Sequence, residues 1–452
     1  MKGLSGLFGL SGVTGDGLDE TDRTDKIDET DRVDEINQMN QTNQMMMTGN
    51  LAAAWGARLA DVDYVPAFPI TPQTEIVEAL SAWCGNGSLN ARFVTLDSEH
   101  SMMTAAGAAA ATGARVFTAT SSQGLLHAFE VLYTIAGWRV PLVLVNVSRA
   151  LASPITLEPD HNDVLAARDS GFLQIHAETC QEVVDSILMA YRIAEDPRVC
   201  LPVMVNLDGF YLSFTREPVS LPDPAMAQAF LPPFRPTHLG FKASAPHALG
   251  TAVFGGATYS YFRHQMHLAS MNALLVHEEA AVEFERLCGR RYGVVEEYRL
   301  DDAEDVLIMT NAFASKGKGA VDAARAEGKR VGLLRLRMIR PWPADAIRQA
   351  LQGRRAVAVL DQNLSPGQGG ILFQEVAACL YHEALRPRAL CSFVGGLGGK
   401  NISEGEFRAI FEQTAEAGVR GQGIGPVLLY TEAEHREMEQ LQYLAHDLKT
   451  GK

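Results

Sequence analysis

Length, composition and charge set the first limits on this chain. It has 452 residues, a hydrophobic fraction of 47% and a formal net charge of −15 at pH 7. The length predicts two or three domains, and the apolar content is ordinary for a globular protein with a substantial core. The acidity argues against a nucleic-acid partner, because a phosphate-binding surface usually carries a basic patch.

Cysteine spacing and hydropathy narrow the class further. The six cysteines are scattered singly along the sequence, and no two of them form a C-x-x-C pair. The sequence therefore predicts no local iron–sulfur or zinc site and is typical of a reducing compartment. No apolar stretch approaches the ~18 residues needed to span a membrane. We expect a cytoplasmic protein without a membrane partner.

Residues 1–48 differ in composition from the rest of the chain. The sequence Asp-Glu-Thr-Asp-Arg occurs at 19–23 and again at 28–32, and a stretch rich in Gln, Asn and Met follows. Such a low-complexity segment cannot bury a core, so we expect a disordered acidic tail over 1–48. An acidic interaction arm is an alternative. Another is a stretch translated ahead of a true start near Met45–Met47.

From Gly49 onward, short apolar segments alternate with amphipathic ones, the pattern of an α/β protein. In the first block, 49–217, the sequence predicts helices at 52–59, 74–83, 101–111 and 124–136 and strands at 64–68, 92–96, 116–119, 141–147 and 203–207. The strand at 141–147 is apolar except for Asn146, as in strands buried on both faces of a parallel sheet. The block therefore predicts right-handed crossovers and a doubly wound parallel sheet.

A proline-rich segment at 218–236 predicts an interdomain linker, which continues through a helix at 280–292 to form a connection over 218–300. In the second block, 301–452, the sequence predicts strands at 306–310, 331–335 and 356–361 and helices at 319–327, 344–351 and 373–385. This spacing predicts a smaller α/β domain with its own parallel sheet.

Three predicted strands of the first block end in unusual side chains, and ligands of open α/β sheets bind at such ends. In the first, Phe68-Pro-Ile-Thr-Pro72, two prolines stiffen the turn and hold the Thr71 hydroxyl in a fixed place. In the second, Asp97-Ser-Glu-His-Ser101, Glu99 begins a helix, where the dipole favours a negative charge. Helix capping explains either pattern equally well.

The third strand end is Ser148-Arg149-Ala150-Leu151. An arginine directly after a buried apolar strand needs a partner, and its planar fork suits the carboxylate of a substrate. A structural ion pair with an aspartate of the same domain is an equally good explanation. Each strand end is a weak signal by itself, whereas the order and spacing of all three are more specific.

Taken together, these motifs resemble the α subunit of pyruvate (2-oxoacid):ferredoxin oxidoreductases. The resemblance runs from about Gly49 to about Gln413, and its further motifs are Thr118–Gly124, Asp160-His-Asn-Asp163, Asp208-Gly-Phe210, Gly293–Tyr298, Arg337–Trp342 and Gly395-Gly-Leu-Gly-Gly399. It implies an α/β fold in which a doubly wound, parallel-sheet domain of the thiamine-diphosphate pyrimidine type precedes a transketolase C-terminal-like domain.

The resemblance also implies roles for the strand-end residues. In the family, the glutamate that matches Glu99 bonds N1′ of the cofactor's aminopyrimidine and favours the imino tautomer that takes the proton from thiazolium C2. Glu99 is thus expected to be catalytic and to bind the cofactor, with Pro69 and Ile70 beside it. Thr71 and Arg149 match the residues that hold the 2-oxoacid. No metal ligand is expected on this chain.

The implied reaction is the CoA-dependent oxidative decarboxylation of pyruvate, or a related 2-oxoacid, to acyl-CoA and CO₂ with reduction of ferredoxin or flavodoxin. The diphosphate, Mg²⁺ and the iron–sulfur clusters are expected on partner subunits. These are a β subunit, with or without additional γ and δ subunits. This chain is therefore expected to be active only in complex with them. A Gly-Asp-Gly triplet at 15–17 has the Mg²⁺-binding pattern of thiamine enzymes. No strand precedes it, and we interpret it as a chance match.

Two departures from the family pattern bear on the substrate. Phe68 stands where the family usually has tyrosine, and the segment 153–159 differs from the common pyruvate pattern. Branched-chain or aryl 2-oxoacids are therefore alternatives, whereas the Gly-Gly-Pro-Ser segment of 2-oxoglutarate enzymes is absent after the arginine. A non-catalytic scaffold paralogue is disfavoured, since it has no reason to retain Glu99, Thr71 and Arg149. A dehydrogenase component that passes acyl groups to lipoamide is a third reading.

Overall fold

The structure of the chain is a computed structural model that describes residues 44–236, 240, 244, 246 and 248–450, with the backbone alone over 443–450. The expected N-terminal tail up to residue 43, with its Gly-Asp-Gly triplet, lies outside the described residues. The strands of the described part are β1 Met45–Thr48, β2 Tyr64–Ala67, β3 Arg92–Thr95, β4 Phe117–Thr120, β5 Val143–Ser148, β6 Leu173–His176, β7 Val203–Asp208, β8 Arg216–Val219, β9 Val295–Tyr298, β10 Asp305–Met309, β11 Val331–Leu336, β12 Met338–Arg340, β13 Ala356–Asp361, β14 Ala389–Val394 and β15 Val427–Leu428.

The α-helices alternate with these strands through most of the chain. Their bounds are Gly49–Leu59, Thr74–Gly85, Glu99–Ala111, Ser122–His127, Phe129–Trp138, Asn162–Ala166, Cys180–Ala194, Pro224–Phe230, Gly256–Cys288, Phe313–Ala326, Ala344–Leu351, Ile371–Leu380, Glu404–Arg420 and Glu432–Thr450. Among the helices that the structure describes, none combines the length and the apolar character needed to cross a membrane.

The first sheet has the strand order β3-β2-β4-β5-β7-β6-β12, in which a bridge between Tyr64 and Val116 joins β2 to β4. Its strands pair in parallel, except that β12 is antiparallel to β6. Every residue of β4, β5, β6 and β7 is buried. This burial explains why most residues of the central strands are apolar, since helices cover both faces of the sheet.

Alternate residues of the central strands face two helical layers. Val143 and Val145 of β5 lie in the core that includes the helices Gly49–Leu59 and Cys180–Ala194. Leu144 lies in the core on the other face, with the helices Glu99–Ala111 and Phe129–Trp138. The helices Glu99–Ala111 and Phe129–Trp138 pack closely because Gly107 has no side chain. A Cβ on Gly107 would lie 2.6 Å from Cγ1 of Ile135.

The second sheet has the order β15-β14-β13-β10-β11-β9, and its strands are parallel except for β9, which is antiparallel to β11. One of its faces contributes Val306 and Ile308 to the apolar cluster that contains Leu144 of the first sheet. The two sheets therefore share a continuous core.

Buried charges also join the two sheets. The Arg335 side chain of β11 is fully buried, and its Nε lies 3.0 Å from Oε2 of Glu178 and 2.8 Å from Oε2 of Glu296. Its Nη2 lies 2.7 Å from Oε1 of Glu182, at the start of the helix Cys180–Ala194. The guanidinium thus pairs with two carboxylates beside the first sheet and with Glu296 of β9 in the second sheet, as a buried charge requires.

The structure differs from the expected segment boundaries at three places. Met45–Thr48, expected in the tail, forms β1 and pairs with β8, with Met47 buried. The expected linker, from residue 218 onward, contains the end of β8 and the helix Pro224–Phe230. Residues 280–288 of the expected helix at 280–292 are the end of the longer helix Gly256–Cys288. In addition, β12 of the second block completes the first sheet. These pairings join residues distant in sequence, so local composition does not reveal them.

Candidate functional site

The expected site residues follow four neighbouring strands of the first sheet, β3, β2, β4 and β5, at their carboxyl ends. Glu99 follows β3, Thr71 follows β2, the helix Ser122–His127 follows β4 and Arg149 follows β5. Because parallel strands end at the same edge of a sheet, these side chains lie in one region of the molecule.

Glu99 is the first residue of the helix Glu99–Ala111, and Ser98 caps that helix by accepting a hydrogen bond from the Ser101 N–H. The Glu99 carboxylate is buried, and its Oε2 lies 3.1 Å from Nδ1 of His127. Ser98 is therefore the residue that caps the helix. The Glu99 carboxylate contacts His127 instead.

Gly124 leaves the space that the Glu99 carboxylate occupies. A Cβ at this position would lie 2.6 Å from Oε1 of Glu99 and 2.6 Å from Oγ1 of Thr120. The buried hydroxyl oxygens of Thr120 and Ser121 have no hydrogen-bond partner among the described residues. Polar groups without partners next to a buried carboxylate indicate a place where a polar ligand binds.

Arg149 is 7% exposed and is held by neutral oxygen atoms. Its Nη1 donates to the backbone oxygen of Thr71 at 2.7 Å, and its Nη2 donates to Oε1 of Gln123 at 2.8 Å. Nε has no partner among the described residues. Burial lowers the pKa of Arg149, and the negative charges of Asp163 and Glu99 partly offset this effect.

The ion-pair explanation of Arg149 is not supported by the geometry. In the described part of the chain, no carboxylate lies within 4.0 Å of its guanidinium, and the nearby Asp163 accepts a hydrogen bond from the Arg149 backbone N–H instead. A buried guanidinium without a counter-ion is suited to an anion that arrives from outside the chain.

The proline turn places Thr71 next to Arg149 through its backbone oxygen. Thr71 and Pro69 are exposed and Ile70 is half-buried, while Gln73 Nε2 steadies the turn by donating to the Phe68 oxygen at 2.9 Å. The structure therefore brings Thr71 and Arg149 together directly and leaves the Thr71 side chain at the surface of the site.

Asp163 organises the strand ends from beneath. The carboxylate is fully buried and accepts five hydrogen bonds, from the backbone N–H groups of Ser122, Arg149 and Val164 and from the side chains of Asn146 and Ser148. Burial raises the pKa of Asp163 to about 6. The sequence placed Asp163 in a motif without giving it a role.

Sequence reasoning also missed Gln123 and His127. Both belong to the short helix after β4, within or just after the Thr118–Gly124 motif. Their contacts with Arg149 and Glu99 join residues 26 and 28 positions apart. The available signal was the unusual density of polar residues after β4.

A second polar cluster joins the carboxyl ends of the two sheets. Oδ1 of Asp208, at the end of β7, accepts from Nε2 of His161 at 2.8 Å and from the Asn311 side chain at 3.1 Å. Its Oδ2 accepts from the Ala312 N–H, beyond β10. Burial alone would lower the pKa of His161, but the Asp208 charge outweighs it and raises this pKa.

Comparison with known proteins identifies two matching family models. The family described as pyruvate flavodoxin/ferredoxin oxidoreductase, thiamine diphosphate-binding, matches residues 55–281. The family described as pyruvate:ferredoxin oxidoreductase core domain II matches residues 303–407. The first match spans the strand ends described above, and the expected α/β fold with a thiamine-diphosphate-binding domain is confirmed.

Similar proteins cover most of the chain. The pyruvate synthase subunit PorA of Methanothermobacter thermautotrophicus is 41% identical over 369 residues, which are 82% of this chain and 94% of that protein. The PorA subunit of Thermotoga maritima is 41% identical over 366 residues, 81% of this chain and 93% of that protein. The ketoisovalerate oxidoreductase subunit VorA of Pyrococcus horikoshii is 39% identical over 368 residues, 81% and 92% of the two chains.

One solved structure supports the fold at lower sequence similarity. A 2-oxoglutarate:ferredoxin oxidoreductase from Magnetococcus marinus, with 2-oxoglutarate, coenzyme A and succinyl-CoA bound, is 18% identical with a TM-score of 0.63. The likeness covers 83% of this chain and 65% of that chain. At this identity, the comparison concerns the fold alone.

Proposed function

Because this chain belongs to the pyruvate flavodoxin/ferredoxin oxidoreductase family, we propose that it is the α subunit of a 2-oxoacid:ferredoxin oxidoreductase. The family expected from the sequence motifs is thereby confirmed. The proposed reaction is CoA-dependent oxidative decarboxylation of a 2-oxoacid, with electrons passed to ferredoxin or flavodoxin.

The observation that carries this proposal is the environment of Arg149. Its guanidinium is buried between two neutral oxygens, from Thr71 and Gln123, and the described residues supply no carboxylate. The carboxylate of a 2-oxoacid would neutralise this charge and accept the two N–H bonds of the terminal nitrogens that the protein oxygens do not use. A 2-oxoacid therefore fits the site better than a neutral substrate.

Thiamine diphosphate fits beside Arg149. The Glu99 carboxylate and the unpartnered hydroxyls of Thr120 and Ser121 provide polar groups for an aminopyrimidine ring, and Gly124 keeps the space open. When bound, this cofactor supplies the carbon nucleophile and the electron sink for decarboxylation. We propose that Pro69 and Ile70, in the turn that follows β2, also line this space.

Within the reaction, the residues of this chain bind, orient and hold a proton. We propose that the Glu99 carboxylate holds the proton at N1′ of the ring, and its burial strengthens that hydrogen bond because water does not compete. His127, 3.1 Å from Glu99, orients the carboxylate. Thr71, exposed at the rim, meets the keto or carboxylate oxygen of the 2-oxoacid that Arg149 binds.

Pyruvate is the substrate we propose, and the test is a substrate panel. The PorA relatives favour pyruvate, whereas the VorA relative keeps branched-chain acids as the second candidate. The reconstituted complex would receive pyruvate, ketoisovalerate, an aryl pyruvate or 2-oxoglutarate with CoA, and reduction of a viologen dye would be followed. We expect the highest kcat/KM with pyruvate. The proposal would be overturned if the dye were reduced without any 2-oxoacid, or if none of the 2-oxoacids supported dye reduction.

We also propose that partner subunits hold the diphosphate, Mg²⁺ and iron–sulfur clusters. The cysteines of this chain are separate thiols, and the groups described above address only the pyrimidine end of the cofactor. Titration calorimetry of the isolated chain with thiamine diphosphate and Mg²⁺ should therefore show weak or no binding, with binding restored by a β subunit. Tight one-to-one binding by the isolated chain would contradict this division.

A further inference from the structure

The turn that begins the helix Ser122–His127 is held in an uncommon backbone conformation. Ser122 has φ 48°, which a residue with a side chain adopts only when its surroundings fix it. Its N–H donates to Oδ2 of Asp163 at 3.1 Å, and its hydroxyl lies 2.7 Å from Oε1 of Gln123 and 3.0 Å from the backbone oxygen of Ala150. The turn after β4 is thus fastened to the turn after β5.

The same carboxylate oxygen fixes the backbone of the anion site. Oδ2 of Asp163 also accepts from the Arg149 N–H at 3.2 Å, so one atom holds the backbones of Ser122 and Arg149. Ser122 in turn fixes the Gln123 oxygen that accepts from Nη2 of Arg149. Both ends of the Arg149 residue, its backbone and its guanidinium, therefore depend on Asp163.

We propose that Asp163 is a positioning residue for 2-oxoacid binding, acting on Arg149 directly through the backbone and indirectly through Ser122 and Gln123. The inference rests on the proposed function, in which Arg149 binds the substrate carboxylate. Asp163 itself does not touch the substrate, since its oxygens are occupied by five donors of the chain. Its effect is geometric, because an anion is bound well only by a guanidinium in the correct orientation.

The test is Asp163→Ala in the reconstituted complex, with KM for the 2-oxoacid, kcat and the half-saturating concentration of thiamine diphosphate measured separately. We expect KM to rise by about tenfold or more, the scale of a lost hydrogen bond to a charged group. We expect kcat and the cofactor half-saturation to change by less than about threefold, because no hydrogen bond joins Glu99, whose partner is His127, to Asp163. Asp163→Asn, which keeps one oxygen for the backbone N–H groups of Ser122 and Arg149, should restore most of the KM.

Asp361→Ala is the matched control. Asp361 is another fully buried aspartate, at the end of β13, and it accepts from the backbone N–H groups of Leu372 and Phe373 at the start of the helix Ile371–Leu380. This variant should lower the melting temperature without raising KM. An Asp163→Ala variant that behaves in the same way would overturn the proposal, and so would an Asn variant as impaired as the Ala variant.

Two further variants test the role of Asp163 independently of the Asp163→Ala result. If Asp163→Ala gives no folded complex, Gln123→Met at a half-buried position removes the amide oxygen that holds Arg149, and an unchanged KM there would overturn the proposal. Arg149→Lys distinguishes the substrate-binding role of Arg149 from the positioning role of Asp163. A raised KM in Arg149→Lys with an unchanged KM in Asp163→Ala rejects only this inference, whereas an unchanged KM in Arg149→Lys rejects the proposed role of Arg149 in binding the substrate carboxylate.

Discussion

Oε1 of Glu182 accepts a hydrogen bond from Nη2 of Arg335 at 2.7 Å, and this pair joins a helix that covers the first sheet to a strand of the second. Arg337 donates to the same carboxylate oxygen. Burial alone would raise the pKa of Glu182, but the charges of Arg335 and Arg337 outweigh it and lower the pKa to about 2. The joint between the sheets is therefore sensitive to acid.

Stability should fall as this carboxylate is protonated. Because the folded-state pKa of Glu182 is lower than its ordinary value of 4.5, its contribution is complete above pH 4.5 and is lost as the pH falls toward about 2. Glu182→Gln should lower the free energy of unfolding by roughly 3 kcal/mol at neutral pH. Urea unfolding of the wild-type protein and of Glu182→Gln at a series of pH values should give free energies of unfolding that converge in acid. A difference that stays constant with pH would contradict this account.

Glu99→Gln should abolish turnover and leave the fold intact. The amide cannot hold the ring proton as the carboxylate does, and positioned acid–base groups contribute about 10²–10⁴-fold to rate. The measurement is exchange of the C2 proton on cofactor bound to the complex. Glu75→Gln is the control, since Glu75 is also an acidic residue in the first turn of a helix but bonds Thr48. Normal exchange in Glu99→Gln would exclude the assigned role.

Arg149→Lys should weaken binding of the 2-oxoacid. Lysine keeps the charge but cannot bond the Thr71 oxygen, the Gln123 oxygen and a carboxylate in one plane. We expect KM to rise with a smaller change in kcat. The control is Arg139→Lys, because Arg139 also bonds neutral oxygens, those of Val199 and Cys200, and burial also lowers its pKa. If the melting temperature falls in both variants and KM in neither rises, Arg149 has a structural role only.

Deletion of residues 1–44 should change neither stability nor activity, whereas deletion of residues 1–48 should destabilise the protein. The longer deletion removes β1, the buried Met47 and the Thr48 side chain that caps the helix Gly49–Leu59. We expect a loss of about 2–5 kcal/mol from the buried methionine and about 1 kcal/mol from the cap. Melting temperatures and dye reduction of the two complexes would be compared. Loss of assembly or electron transfer in the shorter deletion would reveal a function of the tail.

The central strands and the strand-end residues were predictable from sequence because their signals are local. The strand Ala356–Asp361 was predicted with its observed bounds. Glu99 and Arg149 each follow a strand that can be recognised in the sequence from its apolar residues. Strand β1 was missed because its partner lies about 170 residues away. Asp163 was left without a role for the same reason, since its contact with Ser122 spans 41 residues and follows only from the order of strands in the sheet.

The position of β12 has a consequence for the order of folding during translation. This strand covers the edge of β6, yet its residues, Met338–Arg340, are made more than 160 positions after Leu173–His176. Until the ribosome has released them, the nascent first sheet carries an open edge whose unpaired N–H and C=O groups are available to other chains. Domain-by-domain folding on the ribosome therefore leaves the first sheet incomplete.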